Sequence, residues 1–194
     1  MEGMNFDLLD EDLSTVLAEG RLVAAEADGT FGRLSARQMN CKPGEAEWSI
    51  GQCFDHLVIS NRASVPIIEA IVQGRKRTTI WERMPLLPRF FGRLIIKILH
   101  PESPRKAKAR KRFMPSSSAI DPGIIRTFLE EHGRLITLME GTRALDLDRI
   151  TITSPVLAVM TYSLMDAHRI VVVHEQNHFM QARRVLESAA FPVG

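Results

Sequence analysis

Three histidines carry the clearest chemistry in this sequence. His174 and His178 lie four residues apart near the end of the chain, and His56 stands far upstream. Residues at this spacing share one face of an α-helix, with Cβ atoms about 5–6 Å apart, so two imidazoles can bind one metal ion. A third imidazole from a neighbouring helix would complete a three-nitrogen site with positions left open for water or substrate. The spacing therefore predicts a metal site.

The same string matches H-E-x-x-H, the zinc-protease pattern in which the glutamate, here Glu175, is the general base. Such proteases need a further ligand downstream, either a histidine ten residues after the first or an acidic residue. Position 184 is an arginine, and Glu187 is the only acid among the last 16 residues. The sequence therefore argues against a zinc protease. Glu175 stays a candidate base, although we expect it to lie in solvent.

Three further side chains are candidates for supporting roles. Gln181, one turn after His178, could orient a ligand or a bound water, or could be an ordinary surface glutamine. Cys53, one turn before His56, could be a soft fourth ligand, although a buried free cysteine usually packs as a small hydrophobic residue. Arg184 could bind an anionic group of a substrate or cofactor, or could be plain surface charge.

The other three histidines do not fit the site. His168 lies six residues before His174, or about 240° around a helix, and so points elsewhere. His100 falls in a basic segment, and His132 falls on a helix face that should be solvated. We expect all three to be structural or on the surface.

Apolar periodicity and local start signals predict the elements that position these residues. Ser49 with Gln52 matches the capping box of a helix N-terminus, and Asp121 and Ser154, each followed by proline, mark helix entries. Four main helices with long connections predict an all-α fold, a four-helix up-down bundle whose metal sites lie between facing helices. We expect the four at 8–27, 49–74, 121–141 and 154–186, and a short helix at 88–99.

A basic insertion separates the second and third main helices, at about 75–118. Residues 75–112 contain 13 Lys and Arg against two acids, whereas the rest of the chain is acidic. We interpret the insertion as a solvated loop plus a helix that covers one end of the bundle. Two alternatives remain, a lid that brings Phe90 and Phe91 over the metal and a surface that binds nucleic acid or an anionic membrane. Nucleic acid is disfavoured, because no nucleic-acid-binding motif is present.

Composition sets the remaining expectations. A chain of 194 residues with 45% apolar and 25% charged residues predicts one globular domain over 1–194. Two cysteines cannot form a disulfide framework, and the acidic first residues lack the features of a secretory signal. No apolar run approaches the roughly 18 residues of a membrane span. We therefore expect a cytoplasmic protein, and the sequence leaves open whether it forms a homodimer.

Three short motifs, taken in their order and separation, resemble those of the DinB-like family of four-helix metal proteins: Trp48-Ser49-Ile50, Asp55-His56-Leu57 and His174-x-x-x-His178-x-x-Gln181. The resemblance covers the whole chain except the basic segment 75–112. It implies that His56, His174 and His178 are the three ligands of a divalent metal ion, zinc or nickel.

The resemblance also implies a class of chemistry. The metal would activate water or a low-molecular-weight thiol for hydrolysis or transfer, because characterised relatives include metal-dependent thiol transferases. The alternative is a non-catalytic protein that binds a metal or small ligand, for example in a stress response. The fold alone does not choose between them, because one fold carries many functions. The partner in the first case is a small-molecule substrate, which the sequence does not identify.

Overall fold

The computed structural model of the chain describes residues 3–83, 87–103 and 110–192. The prediction of an all-α bundle is confirmed, since the only strands in these ranges form one short antiparallel hairpin. Two 3₁₀ turns, at 81–83 and 111–113, lie in the basic insertion. The helices and strands are α1 (Leu13–Phe31), α2 (Ala36–Met39), α3 (Ile50–Val72), α4 (Leu87–Leu99), α5 (Ile124–Glu140), β1 (Thr151–Thr153), β2 (Thr161–Ser163) and α6 (Leu164–Leu186).

The four long helices form the bundle, and α1 and α3 each pack against both α5 and α6. Phe54 of α3 lies against Phe128 of α5, with ring centroids 5.1 Å apart, and further along both helices Arg62 pairs with Glu131. α3 and α5 are therefore parallel. The end of α3 packs beside the start of α6, so those two helices are antiparallel. The resulting order, up, down, down, up, differs from the simple up-down alternation that we expected.

The long connection between α3 and α5 explains this order. α3 has 23 residues and a length of about 35 Å, so a parallel successor must begin back at its starting end. Residues 73–123 make that return, and α4 packs against α6 and β2 on the way. Gly92 of α4 lies so close to Asp166 of α6 that an added Cβ would overlap the carboxylate. The insertion is thus a necessary part of the bundle topology.

The aromatic pair of α4 does not cover the three histidines. Gly92, next to Phe91, contacts Asp166, which lies eight residues, or about 12 Å along α6, before His174. Phe90 is 64% exposed, and α4 is anchored instead by Ile96, which is buried. The lid hypothesis, which needs Phe90 and Phe91 over the metal, is therefore wrong.

Local signals placed some helix ends correctly and others not. The Ser49–Gln52 capping box is present, with each side chain bonded to the other's backbone N–H at 3.2 Å. Asp121, however, does not cap the helix itself. Its carboxylate accepts from the N–H of Gly123 at 2.7 Å in a preceding turn, and α5 begins at Ile124.

The predicted restart of the last helix at Ser154 is wrong, because a β-hairpin occupies 151–163 and α6 begins at Leu164. The Ser163 hydroxyl caps α6 by accepting from the N–H of Asp166 at 3.0 Å. Both strands are rich in β-branched and aromatic residues, which favour extended backbone. Ile152 pairs with Tyr162 across the hairpin, and both are buried. This tertiary burial outweighs the helix-entry signal of Ser-Pro.

An aromatic cluster holds the helices together beside the predicted site. The rings of Phe54 and Phe179 both meet Phe31 edge to face, with centroids 5.3 and 5.6 Å apart. Phe54 lies two residues before His56, and Phe179 directly follows His178, so this packing fixes the relative positions of α3 and α6 at the histidines. Within the described ranges, no helix is long and apolar enough to cross a membrane.

Candidate metal centre

The structure brings His56, His174 and His178 together at the interface of α3 and α6. One ring nitrogen of each histidine lies within 4.8 Å of one nitrogen of the other two, and the Nε2 atoms of His56 and His174 are 3.1 Å apart. For metal–nitrogen bonds of about 2.1 Å, two neighbouring ligands at 90–109° lie about 3.0–3.4 Å apart. The spacing of His56 and His174 therefore fits two ligands of one metal ion, and His178 lies close to the same point.

Two of the three rings are oriented by bonds on their outer side. His56 Nδ1 donates to the backbone carbonyl of Phe113 at 2.5 Å, and His178 Nδ1 donates to Oε1 of Gln181 at 2.9 Å. A carbonyl oxygen can only accept, so the hydrogen sits on Nδ1 and the lone pair on Nε2. Such outer partners select the tautomer and raise the basicity of a ligating imidazole. Gln181 thus makes the contact to His178 that a residue orienting this ring would make.

Burial keeps all three imidazoles neutral near pH 7. Loss of solvation lowers the pKa of His56, and it lowers the pKa of His178 to about 3. The pKa of His174 falls well below its usual range because of burial and because a charge there would repel the other two imidazoles. Neutral imidazole is the form that binds metals. A cation at this point would therefore meet three neutral imidazoles and no imidazolium charge.

Trp48 forms one wall of the site. Its ring stacks on His178 with centroids 5.7 Å apart and an interplanar angle of 18°, and it lies 5.1 Å from the ring of His56. The position follows from the local sequence, because Trp48 directly precedes the Ser49 cap that starts α3. The indole therefore shields these two imidazoles from solvent on one side.

The basic insertion supplies an unpredicted contact to the site. Phe113 is buried, and its carbonyl holds His56, while the Asp55 carboxylate accepts from the N–H of Ser116 at 2.5 Å. Segment 113–116 is therefore clamped to the start of α3 through two consecutive residues. Sequence reasoning could not identify Phe113, because the atom that acts is a backbone carbonyl with no residue signature.

Glu175 does not lie in solvent, and our expectation for it was wrong. Its carboxylate is fully buried and binds Nδ1 of His132 at 3.0 Å through both oxygens and Nδ2 of Asn61 at 2.7 Å. The expectation of a solvated His132 is wrong for the same reason. Glu175 is displaced by about 100° around α6 from His174, toward the bundle interior. Its oxygens are thus engaged away from the three-histidine site, which disfavours it as a base.

The remaining candidates have simple environments. Cys53 is buried among apolar side chains, and burial raises the pKa of its thiol to about 12, so it packs as a small hydrophobic residue. Arg184 is exposed, yet its charge helps to lower the pKa of His178. His168 is buried with Nε2 3.1 Å from the Thr142 hydroxyl, in keeping with a structural role. The ring of half-buried His100 faces that of Phe6, outside the site.

Comparison with known proteins gives one match. A family model described as the DinB superfamily matches residues 21–182, which is most of the chain and includes all three histidines. No curated protein and no solved structure matches the chain.

Proposed function

Since the chain belongs to the DinB superfamily, we propose that His56, His174 and His178 bind one divalent metal ion, zinc or nickel, and form the active centre of a metal-dependent enzyme. The enzyme activates water or a low-molecular-weight thiol for hydrolysis or transfer. The observation that carries the proposal is the convergence of three neutral imidazoles, two of them with Nδ1–H already bonded.

The ligand count favours a reactive centre over a purely structural one. Structural zinc sites use four protein ligands, whereas catalytic sites use three and keep a position for water or substrate. In the part of the chain that the structure describes, no fourth His, Cys, Asp or Glu joins the group. A bound divalent cation lowers the pKa of water toward about 7 and deprotonates a coordinating thiol.

The residues of the chain contribute orientation and shielding. The carbonyl of Phe113 and the amide of Gln181 hold two ligand rings in place, so little conformational freedom is lost when a metal binds. Trp48 excludes water from one side. Glu175 does not serve as a general base for this centre, since it is bonded to His132 and Asn61 in the interior.

The first test is metal binding by His174→Ala beside wild-type protein and a His100→Ala control. After loading with zinc or nickel and desalting, wild type and H100A should retain one ion per chain by elemental analysis, and H174A none. Nickel should also quench Trp48, which is the only tryptophan left in a Trp81→Phe background. Retention of a full equivalent by H174A would refute the proposed ligand set.

The second test separates an enzyme from a non-catalytic binding protein. Loaded protein is assayed with L-cysteine and 1-chloro-2,4-dinitrobenzene, where the thiolate sulfur bonds to the ring carbon and chloride leaves. It is also assayed with 4-nitrophenyl acetate for hydrolysis. An enzyme should accelerate one reaction only when metal is present, and H174A should not. Metal binding without metal-dependent turnover across a panel of thiols and esters would favour the alternative, a metal or small-ligand binding protein.

A further inference from the structure

An open groove separates the end of the basic insertion from the loop of the β-hairpin. It is lined by residues 110–112 on one side and 153–158 on the other, and its volume is about 850 Å³. Small-molecule sites typically have volumes of about 300–1,000 Å³. The groove thus has room for a ligand larger than an inorganic ion.

One wall of the groove carries uncompensated positive charge. Arg110, Lys111 and Arg112 are consecutive and exposed, and none forms an ion pair with an acid among the described residues. The acid on the neighbouring 3₁₀ turn, Glu82, is already bonded to Lys76 at 2.6 Å and to the Thr153 hydroxyl at 2.9 Å. Three adjacent cations without counter-charges attract and hold an anion.

The opposite wall is apolar and has a defined shape. Pro155, Val156 and Leu157 line it, and Val156 is 41% exposed. The Ser154 hydroxyl accepts from the N–H of Val156 at 3.1 Å, and the Ser154 N–H donates to the carbonyl of Met160 at 2.8 Å. The hairpin loop is therefore preformed, and exposed aliphatic groups face a cationic wall across the groove.

The groove also adjoins the three-histidine site through the chain. The guanidinium of Arg112 lies 4.9 Å from the ring centroid of Phe113, whose carbonyl holds His56. The path from the backbone of Arg112 to Nε2 of His56 runs through Phe113, its hydrogen bond to Nδ1 and the imidazole ring. The two ends of this path are therefore within about 10 Å of each other.

We propose that this groove binds a small molecule with one anionic group and a compact apolar body. The carboxylate, sulfonate or phosphate contacts Lys111 and Arg112, and the apolar body contacts the hairpin loop. We further infer that this molecule is the substrate of the metal centre, and this part of the inference rests on the proposed function. The binding itself does not require the metal.

The test uses naphthalene-2-sulfonate and its neutral analogue naphthalene-2-methanol as probes, with metal-free full-length protein. In amide NMR spectra, the sulfonate should shift signals of 110–112 and 153–158 and bind about tenfold more tightly than the alcohol, because it adds charge-assisted bonds. Lys111→Glu with Arg112→Glu should weaken sulfonate binding by about tenfold or more. The matched control, Arg33→Glu with Arg37→Glu, reverses two exposed cations elsewhere and should leave affinity unchanged.

Two further arms separate this inference from the metal proposal and from other ligands. His174→Ala should bind the sulfonate as wild type does, and the double charge reversal should still retain zinc. Equal affinity for the sulfonate and the alcohol, or no effect of the charge reversal, would overturn the inference. So would binding only to phosphatidylglycerol vesicles or only to an RNA oligonucleotide, which would instead make the cations a membrane or nucleic-acid surface.

Discussion

His174 and Glu175 are neighbours on α6, but they belong to two regions in which the pKa of a buried imidazole shifts in opposite directions. On the His174 side, three histidines meet, no carboxylate of the described residues bonds to their rings, and their pKa values are lowered. On the Glu175 side, burial alone would lower the pKa of His132, but the carboxylate outweighs that effect and raises it. In the interior, the negative charge of Glu175 lies beside the imidazole of His132. In the three-histidine site the rings are neutral, and a bound cation would supply the positive charge.

The two regions of α6 should contribute differently, one to folding stability and the other to metal binding. Removing one member of a buried charged pair leaves the other unpaired, which is strongly destabilising. Removing one of three neutral imidazoles at a half-buried site leaves no such charge. We therefore expect variants on the Glu175 side to affect folding and variants on the His174 side to affect metal binding.

The largest effect should come from Glu175→Ala. This variant leaves His132 and Asn61 without their buried partner and should lower the free energy of unfolding by about 3–5 kcal/mol. Urea unfolding at pH 7 measures the loss. Glu187→Ala, at the exposed end of the same helix, serves as control and should change stability by less than about 0.5 kcal/mol. A loss below about 1 kcal/mol for Glu175→Ala would show that the interior pair is not the stability element we describe.

His168 adds a third case on α6, because its ring is buried and, among the described residues, neither a carboxylate nor a metal-binding group contacts it. Burial lowers its pKa from the ordinary 6.5 to about 4. The native state therefore binds fewer protons than the unfolded state between these values. The corresponding stability is present above pH 6.5 and is lost as the pH falls, by about 3 kcal/mol at pH 4.

His168→Gln retains a donor for the Thr142 hydroxyl but cannot titrate. Denaturant unfolding from pH 7 to pH 4 should show a smaller loss for this variant than for wild type, with the difference approaching about 3 kcal/mol. Parallel pH profiles for the two proteins would place the acid sensitivity elsewhere.

Zinc should stabilise wild-type protein by about 2–3 kcal/mol when its free concentration is 100 times the dissociation constant, because only the native state brings the ligands together. His174→Ala should show no such gain in the same thermal or urea experiment. Because apolar burial maintains the bundle, chelation should leave the protein folded. Unfolding on chelation would instead make the ion structural.

The smallest predicted effect concerns the outer bond to His178. Gln181→Ala removes the acceptor of the Nδ1–H and should weaken zinc binding by about tenfold, measured by competition with a chromophoric chelator. Gln73→Ala, at the exposed end of α3, should bind zinc as wild type does. Equal affinities for Gln181→Ala and wild type would mean that the Gln181 bond does not orient the ring.

The sequence predicted what depends on local spacing. The Ser49 capping box and the shared face of His174 and His178 are set within one or two helical turns, and the structure contains both. The features that were missed depend on distant segments. The Glu175–His132 pair joins residues 43 positions apart, and Phe113 reaches His56 from 57 positions away through a backbone atom.

The direction of α5 and the hairpin before α6 were missed for the same kind of reason. The parallel direction of α5 follows from the long return of 73–123, which local periodicity does not reveal. The β-branched residues at 151–153 compete with a helix-entry signal at Ser154, and pairing with 161–163 decides the outcome. Local propensity alone cannot weigh such a tertiary contact.

X-ray absorption spectroscopy of the zinc- or nickel-loaded protein tests the central claim most directly. The account predicts three imidazole nitrogens at about 2.0–2.2 Å from one metal ion, with no sulfur in the coordination shell. The signal of three imidazoles should disappear in His174→Ala and persist in His100→Ala. Scattering from sulfur at about 2.3 Å, or a wild-type spectrum with fewer than three imidazoles, would contradict the proposed three-histidine centre.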